Sequence, residues 1–261
     1  MKYYLSIVFG LFIISISNSQ TTVLSQKWID SIQKNFGFNK INTKKFEQLD
    51  FSKILSNRLA LENDPLSTYV GCFGPKYRRI DFHFKVKKKN NKYLLTGKSK
   101  LGNNIRPIKG EMKLKIMLYR EQQLIPDKIK DTLYIAFFDC VMKEPGDRNG
   151  DGIYQGIFTL VFYIENGKIM LFKSDSGDWP TFTNTFVGVW KRYNSNVKRK
   201  VIFSFHVAGL YERLPFCDDF YSQDENYDEA SFMKEKYLKY GWKEYYDKII
   251  SGSYDKDYWW K

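Results

Sequence analysis

Between residues 77 and 87 the chain alternates. Arg78, Ile80, Phe82, Phe84 and Val86 fall to one side, Tyr77, Arg79, Asp81, His83 and Lys85 to the other. A period of two with one apolar side predicts a strand lying over a core. Residues 111–118 repeat it, with Met112, Leu114, Ile116 and Leu118 set against Lys113 and Lys115. Further strands are predicted at 92–100, 132–139, 153–165, 168–173, 184–192 and 199–207. Asn90-Asn91, Gly102-Asn103-Asn104, Asn149-Gly150 and Asn166-Gly167 punctuate them as turns. No helix long enough for a parallel crossover intervenes, so the middle of the chain predicts a mainly β fold, an antiparallel barrel or sandwich of about 8–10 strands. Residues 153–165 are apolar on both sides, as a strand covered on its outer face by another element would be.

Outside the middle the period lengthens. Leu24, Trp28, Ile32 and Phe36 recur every four residues and Gly37 ends the run, predicting a helix; a second short one is expected within 46–59. Residues 228–240 place Met233, Tyr237 and Tyr240 on one helical face and stop at Gly241. Trp242, Tyr245, Tyr246, Ile249 and Ile250 then follow at amphipathic spacing. At the start, Lys2, an apolar run from Tyr4 to Ile16 and the small residues Ser17 and Ser19 read as a secretory signal peptide. The expected organisation is therefore a signal peptide (1–19), an N-terminal helical segment (20–66), a β-barrel domain (67–216) and a helical tail packed on the barrel (217–261). Export to the periplasm, the cell surface or beyond follows, with no transmembrane segment after cleavage.

Composition narrows the function classes. The chain has 261 residues, 18% of them aromatic, which excludes a disordered solvating chain. Cys72, Cys140 and Cys217 allow three pairings and always leave one thiol over; a disulfide-dense scaffold is excluded. The formal charge of +13 is local rather than general: residues 75–120 hold 15 Lys and Arg against only Asp81 and Glu111. Residues 191–200 add five basic groups and no acid, whereas 217–229 hold six acids and no base. Neighbouring basic strands would present one positive face, suited to anionic partners. Nucleic acid is disfavoured by export and by the lack of any nucleic-acid-binding motif.

Few motifs carry chemistry. Asp147-Arg148-Asn149-Gly150-Asp151-Gly152 matches the first half of a calcium-binding EF-hand loop, with Asp147, Asn149 and Asp151 as ligand candidates, but its twelfth position is Phe158 instead of Glu. A plain turn is the expectation, with no metal and no cofactor. His83 and His206 both fall on polar sides of strands; were those strands adjacent, the histidines could work as acid and base with Asp81 or Glu111. No nucleophile elbow, zincin, P-loop or dinucleotide signature occurs. Tyr69, Phe73, Tyr77, Trp179, Phe182, Trp190 and Tyr193 suit either a core or a ligand pocket, while Tyr254, Tyr258, Trp259 and Trp260, set among Lys and Asp, suit a docking surface.

The run from Tyr69-Val70-Gly71-Cys72-Phe73-Gly74-Pro75 through Phe84, together with Gly97-Lys98-Ser99-Lys100 and Lys236-Tyr237-Leu238-Lys239-Tyr240-Gly241-Trp242, resembles exported Bacteroidota proteins that carry no assigned activity. Gly188-Val189-Trp190 is similar to the Gly-x-Trp of lipocalins, which carry it on their first strand; here it comes late. That resemblance implies a lipocalin- or calycin-like barrel and transfers no ligand residues. The expectation from all of this is a non-enzymatic envelope protein that holds an anionic glycan or lipid on a basic face or in the barrel mouth. Arg78, Arg79, Lys98 and Arg106 are its expected contacts. The alternatives are a hydrolase of envelope polymers using His83, Asp81 or Glu111, and an inhibitor or immunity-type protein that meets an acidic protein partner.

Overall fold

The computed structural model describes residues 22–56, 69–121, 132–172, 184–205, 234–250 and 259–260. Residues 1–19, His206 and Cys217, on which the export, second-histidine and third-thiol expectations rest, lie outside them. Strand is the dominant element: β1 (Asn39–Ile41), β2 (Tyr69–Phe73), β3 (Arg78–Lys89), β4 (Lys92–Leu101), β5 (Asn104–Arg120), β6 (Leu133–Lys143), β7 (Gly152–Glu165), β8 (Lys168–Leu171), β9 (Thr185–Arg192) and β10 (Lys198–Ser204). All pairings are antiparallel. Strands β2 to β7 each pair with the next, β7 pairs with β9, β9 with β10, and β10 returns to β2, so eight strands close a ring. β8 is a hairpin partner of β7 alone, and β1 lies beside the far end of β5.

Alternation divides each ring strand into an inner and an outer side. Ile80, Phe82, Phe84 and Val86 of β3 point in, joined by Phe138, Phe158, Phe186 and Phe203 in one buried cluster. Tyr69 stacks on Phe84 at 4.7 Å and on Phe205 at 3.9 Å, and Phe186 stacks on Phe203 at 4.8 Å. The interior is thus occupied by side chains. Gly156 and Gly188, paired across β7 and β9, make this possible: a Cβ on Gly188 would sit 2.7 Å from Gly156 Cα and 2.8 Å from the Phe186 ring.

The outer side carries a second core. Helix α1 (Val23–Phe36) is capped by Thr22, whose side chain accepts from Ser25 N, and ends at Gly37 with φ 63°. Trp28, Ile29 and Ile32 press on Ile157, Val161 and Val187, and the contact is pinned by Trp28 Nε1 donating to Thr159 at 2.9 Å and Ser25 Oγ donating to Val187 O at 2.8 Å. This explains why β7 is apolar on both faces. A 3-10 turn (Glu235–Tyr240) and a helix (Trp242–Ile250, α3 below) add Tyr237, Trp242, Tyr245 and Tyr246 to the same layer, over Val70, Cys72 and Ile202. Cys72 therefore lies outside the sheet and Cys140 inside it, where burial pushes its thiol up.

The segment expected to be helical through 66 is more mixed. β1 interrupts it, pairing Lys40 with Leu118, and the helix after it, α2, is only Ser52–Leu55. Together with a 3-10 turn (Thr43–Phe46) it closes one end of the ring: Phe51 lies 5.1 Å from the Phe162 ring and Tyr93 donates to Leu49 O at 2.9 Å. The tail segment ending at Gly241 is likewise 3-10 and not α over its described part.

Replacing Gly188 with Ala forces a Cβ to within 2.3 Å of Gln155 O. The expected loss is about 3 kcal/mol, at the upper end of overpacking effects. Gly167→Ala, at a turn with φ 74° and nothing within 4 Å, should cost only about 1 kcal/mol. Urea midpoints of the two variants check the contrast.

Candidate functional site

The register lays out the outer face that the helices leave uncovered. One row runs Lys85, Thr96, Lys109, Lys143, Ile153, Lys191 and Lys198; the next runs Lys87, Leu94, Glu111, Val141, Gln155 and Val189. Above them lie His83, Lys98 and Pro107, then Lys100 and Ile105, whose row runs on into the buried Asp81. This face holds a groove of about 740 Å³ with Leu94, Pro107, Val141 and Ile153 as its apolar lining and Lys109 and Lys143 beside them. Glu111, Tyr193 and the Glu144-Pro145 corner complete it. Leu94 and Ile105 are among the large apolar side chains most open to water.

Lys109 and Lys143 are direct cross-strand partners. Such partners have Cβ atoms about 5 Å apart, so like charges there oppose the pairing. The same juxtaposition recurs at Lys89–Lys92 and Lys191–Lys198. Two acids temper the face: Glu111 pairs with Lys92 at 3.0 Å and Asp139 with Lys115 at 3.0 Å.

The four expected ligand contacts are not brought together. Arg78 is exposed at the end of the ring. Arg79 is buried under α3: it grips Asp81 through two contacts of 2.9 Å, lies 5.1 Å from the Tyr245 ring centroid and reaches Gly241 O at 3.4 Å. Lys98 stands half-buried on the outer face, between His83 and Pro107. Arg106 turns inward at the ring's end, 2.7 Å from Asp151 and 3.9 Å from Glu144.

The acid–base candidates are held apart too. Burial lifts the Asp81 carboxyl against the pull of Arg79, and its oxygens are committed to that guanidinium. Glu111, three rows from Asp81, is occupied by Lys92. His83 lies flat against Trp260, centroids 4.6 Å apart and planes 4° off parallel. Burial first, then Lys85 and Lys98, push the imidazole down to about 4, so it is neutral at neutral pH.

The half EF-hand loop works as a turn. Asp151 Oδ1 accepts from Arg106 Nε, Oδ2 accepts from the N–H groups of Gly146 (3.0 Å) and Arg148 (3.2 Å), and Asn149 Oδ1 accepts from Arg192. Asp147 is exposed. Among the described residues no group of three or more His, Cys, Asp and Glu side chains is placed to hold a metal ion.

Sequence reasoning missed Glu144. Its carboxylate is buried at the end of the ring and accepts from Gly152 N (2.6 Å), Trp190 Nε1 (3.1 Å) and Tyr154 Oη (3.2 Å). Burial raises this carboxyl above its usual range, against those hydrogen bonds and Arg106. Trp190, of the Gly-x-Trp run, thus serves as a donor to an internal acid. Glu144, Arg106, Asp151, Tyr154 and Trp190 form a polar plug across this end of the ring, so the mouth there is filled, while the groove on the outer face lies open.

Asp151 supplies a pH test of the plug. Burial works to raise its carboxyl, but Arg106 and the N–H groups of Arg148 and Gly146 outweigh it and hold it below the usual range. A depressed carboxyl stabilises fully above the unfolded value of about 3.9, and that contribution disappears as pH falls through the folded value. Asp151→Asn should cost about 2–3 kcal/mol near neutral pH. The gap from wild type should shrink as pH drops below about 4, measured by urea unfolding across pH.

No protein-family model, no curated protein and no solved structure matches this chain.

Proposed function

We propose that this is an exported, non-enzymatic binding protein of the cell envelope whose outer groove, on β4 to β7, holds an anionic glycan or lipid. The observation that carries this is the Lys109–Lys143 pair beside an apolar lining. Two lysines set opposite each other work against the sheet, and an anion bound between them reverses the sign of that interaction. Apolar surface with a few converging charges is the usual make-up of a ligand site, and a groove of about 740 Å³ falls in the usual size range. Lys85, Lys87, Lys98 and Lys100 on the same face extend the positive field. The hydrolase alternative gains no shared site, because His83, Asp81 and Glu111 each face a different partner. Of the expected contacts, Lys98 stays with this face, while Arg79 and Arg106 serve the fold.

Double charge reversal, Lys109→Glu with Lys143→Glu, should weaken binding of anionic ligands by about tenfold to a hundredfold, where each tenfold is about 1.4 kcal/mol. Wild-type affinity should fall as salt rises, because charges on an open face are screened. Titration calorimetry with polyanionic glycans and anionic vesicles reads both effects. Affinity that ignores salt and survives charge reversal would sink the proposal, and tight capture of an acidic protein in place of either ligand would move the reading to a protein partner.

A further inference from the structure

We infer that Trp259 and Trp260 form the sugar-stacking end of this groove and that its occupant is an acidic polysaccharide; this rests on the binding reading above and narrows it. Trp260 lies parallel to His83, and Trp259 meets Trp260 edge-on at 5.7 Å. Lys100 Nζ stands 5.9 Å from the Trp259 ring centroid. Both indoles are half-buried, so each is docked on the sheet yet still reaches solvent. His83, Lys98 and Pro107 share one row across β3, β4 and β5. Pro107 lines the groove, so the indole platform and the groove are about 10 Å apart on one continuous face, two strand spacings.

Three considerations favour a sugar chain over an acyl lipid. An indole face carries negative charge density and suits the C–H faces of a sugar ring, while the lysines beside it suit the carboxylates that an acidic sugar repeats along its length. Acyl chains gain by leaving water, and the apolar ring interior that could enclose one is filled with Phe and Tyr side chains. The groove lies instead on the outside of the sheet, where a hydrated chain loses little by staying partly in water.

The test compares three probes on the full chain: alginate oligosaccharide, neutral dextran, and vesicles of equimolar phosphatidylcholine and phosphatidylglycerol. Alginate should bind in a salt-sensitive way and more tightly than either of the others. Trp259→Ala with Trp260→Ala should lower alginate affinity by about tenfold, and Trp260→Phe should restore most of it. Lys98→Gln, which leaves both indoles in place, should lower it severalfold, and matched melting curves exclude unfolding as the cause. Unchanged or tighter alginate binding by the double Trp variant would overturn the inference, because the indoles would then be structural or obstructing. So would a preference of the wild type for the anionic vesicles, although the groove would then still be the binding site. Binding of neither anionic probe would bring down the groove reading itself, and this inference with it.

Discussion

Pairing of β10 with β2 closes the sheet, and nearly everything else about this protein follows from that closure. Closure gives every member strand a neighbour on each side, although β2 reaches β3 only from Arg78 to Phe82. It also fixes an inside and an outside for each alternate residue, since a slip of one residue would exchange the two. Phe82 and Phe84 must then fill the interior, and Arg79, Asp81, His83 and Lys85 must find their partners outside.

The outside is divided in two by what covers it. Over β2, β7, β9 and β10, α1 and α3 build a second apolar layer, and its charged and indole groups are paired: Arg79 with Asp81, Trp28 with Thr159, Trp242 with Tyr77 O at 2.6 Å. Over β4, β5 and the neighbouring half of β6 the surface faces water, and there the lysines gather. The two halves obey opposite rules. A buried guanidinium without its carboxylate would be expensive, whereas lysines in water can remain close together at modest cost.

How much of this the chain displays in advance depends on how far apart the partners are. β3, β4 and the second half of β5 are visible because one face is apolar and the other polar over many residues. β2 is not, because Val70 and Cys72 are covered outside while Tyr69 is buried inside, which erases the alternation; β1 is too short to have a period. Arg79 reads as a surface charge until α3 arrives from 162 residues away to cover it. Glu144 lies beyond the expected end of its strand and acquires its role from Trp190, 46 residues on. The groove draws residues from Leu94 to Tyr193, so no local window contains it. Periodicity reports a residue's own face; it is silent about what packs on that face.

Closure also bears on what the lysines are for. Lysines on strands commonly protect an exposed edge from pairing with another chain. Lys98 and Lys109 are paired on both sides within the ring, so they have no such edge to guard. Solubility asks only for charge dispersed over the surface, and is better served by mixed signs than by Lys109 set against Lys143 or Lys191 against Lys198. The proposed anionic ligand would turn these juxtapositions from a cost into an attraction. The apolar side chains left open among them, Leu94 above all, are placed where such a ligand would cover them.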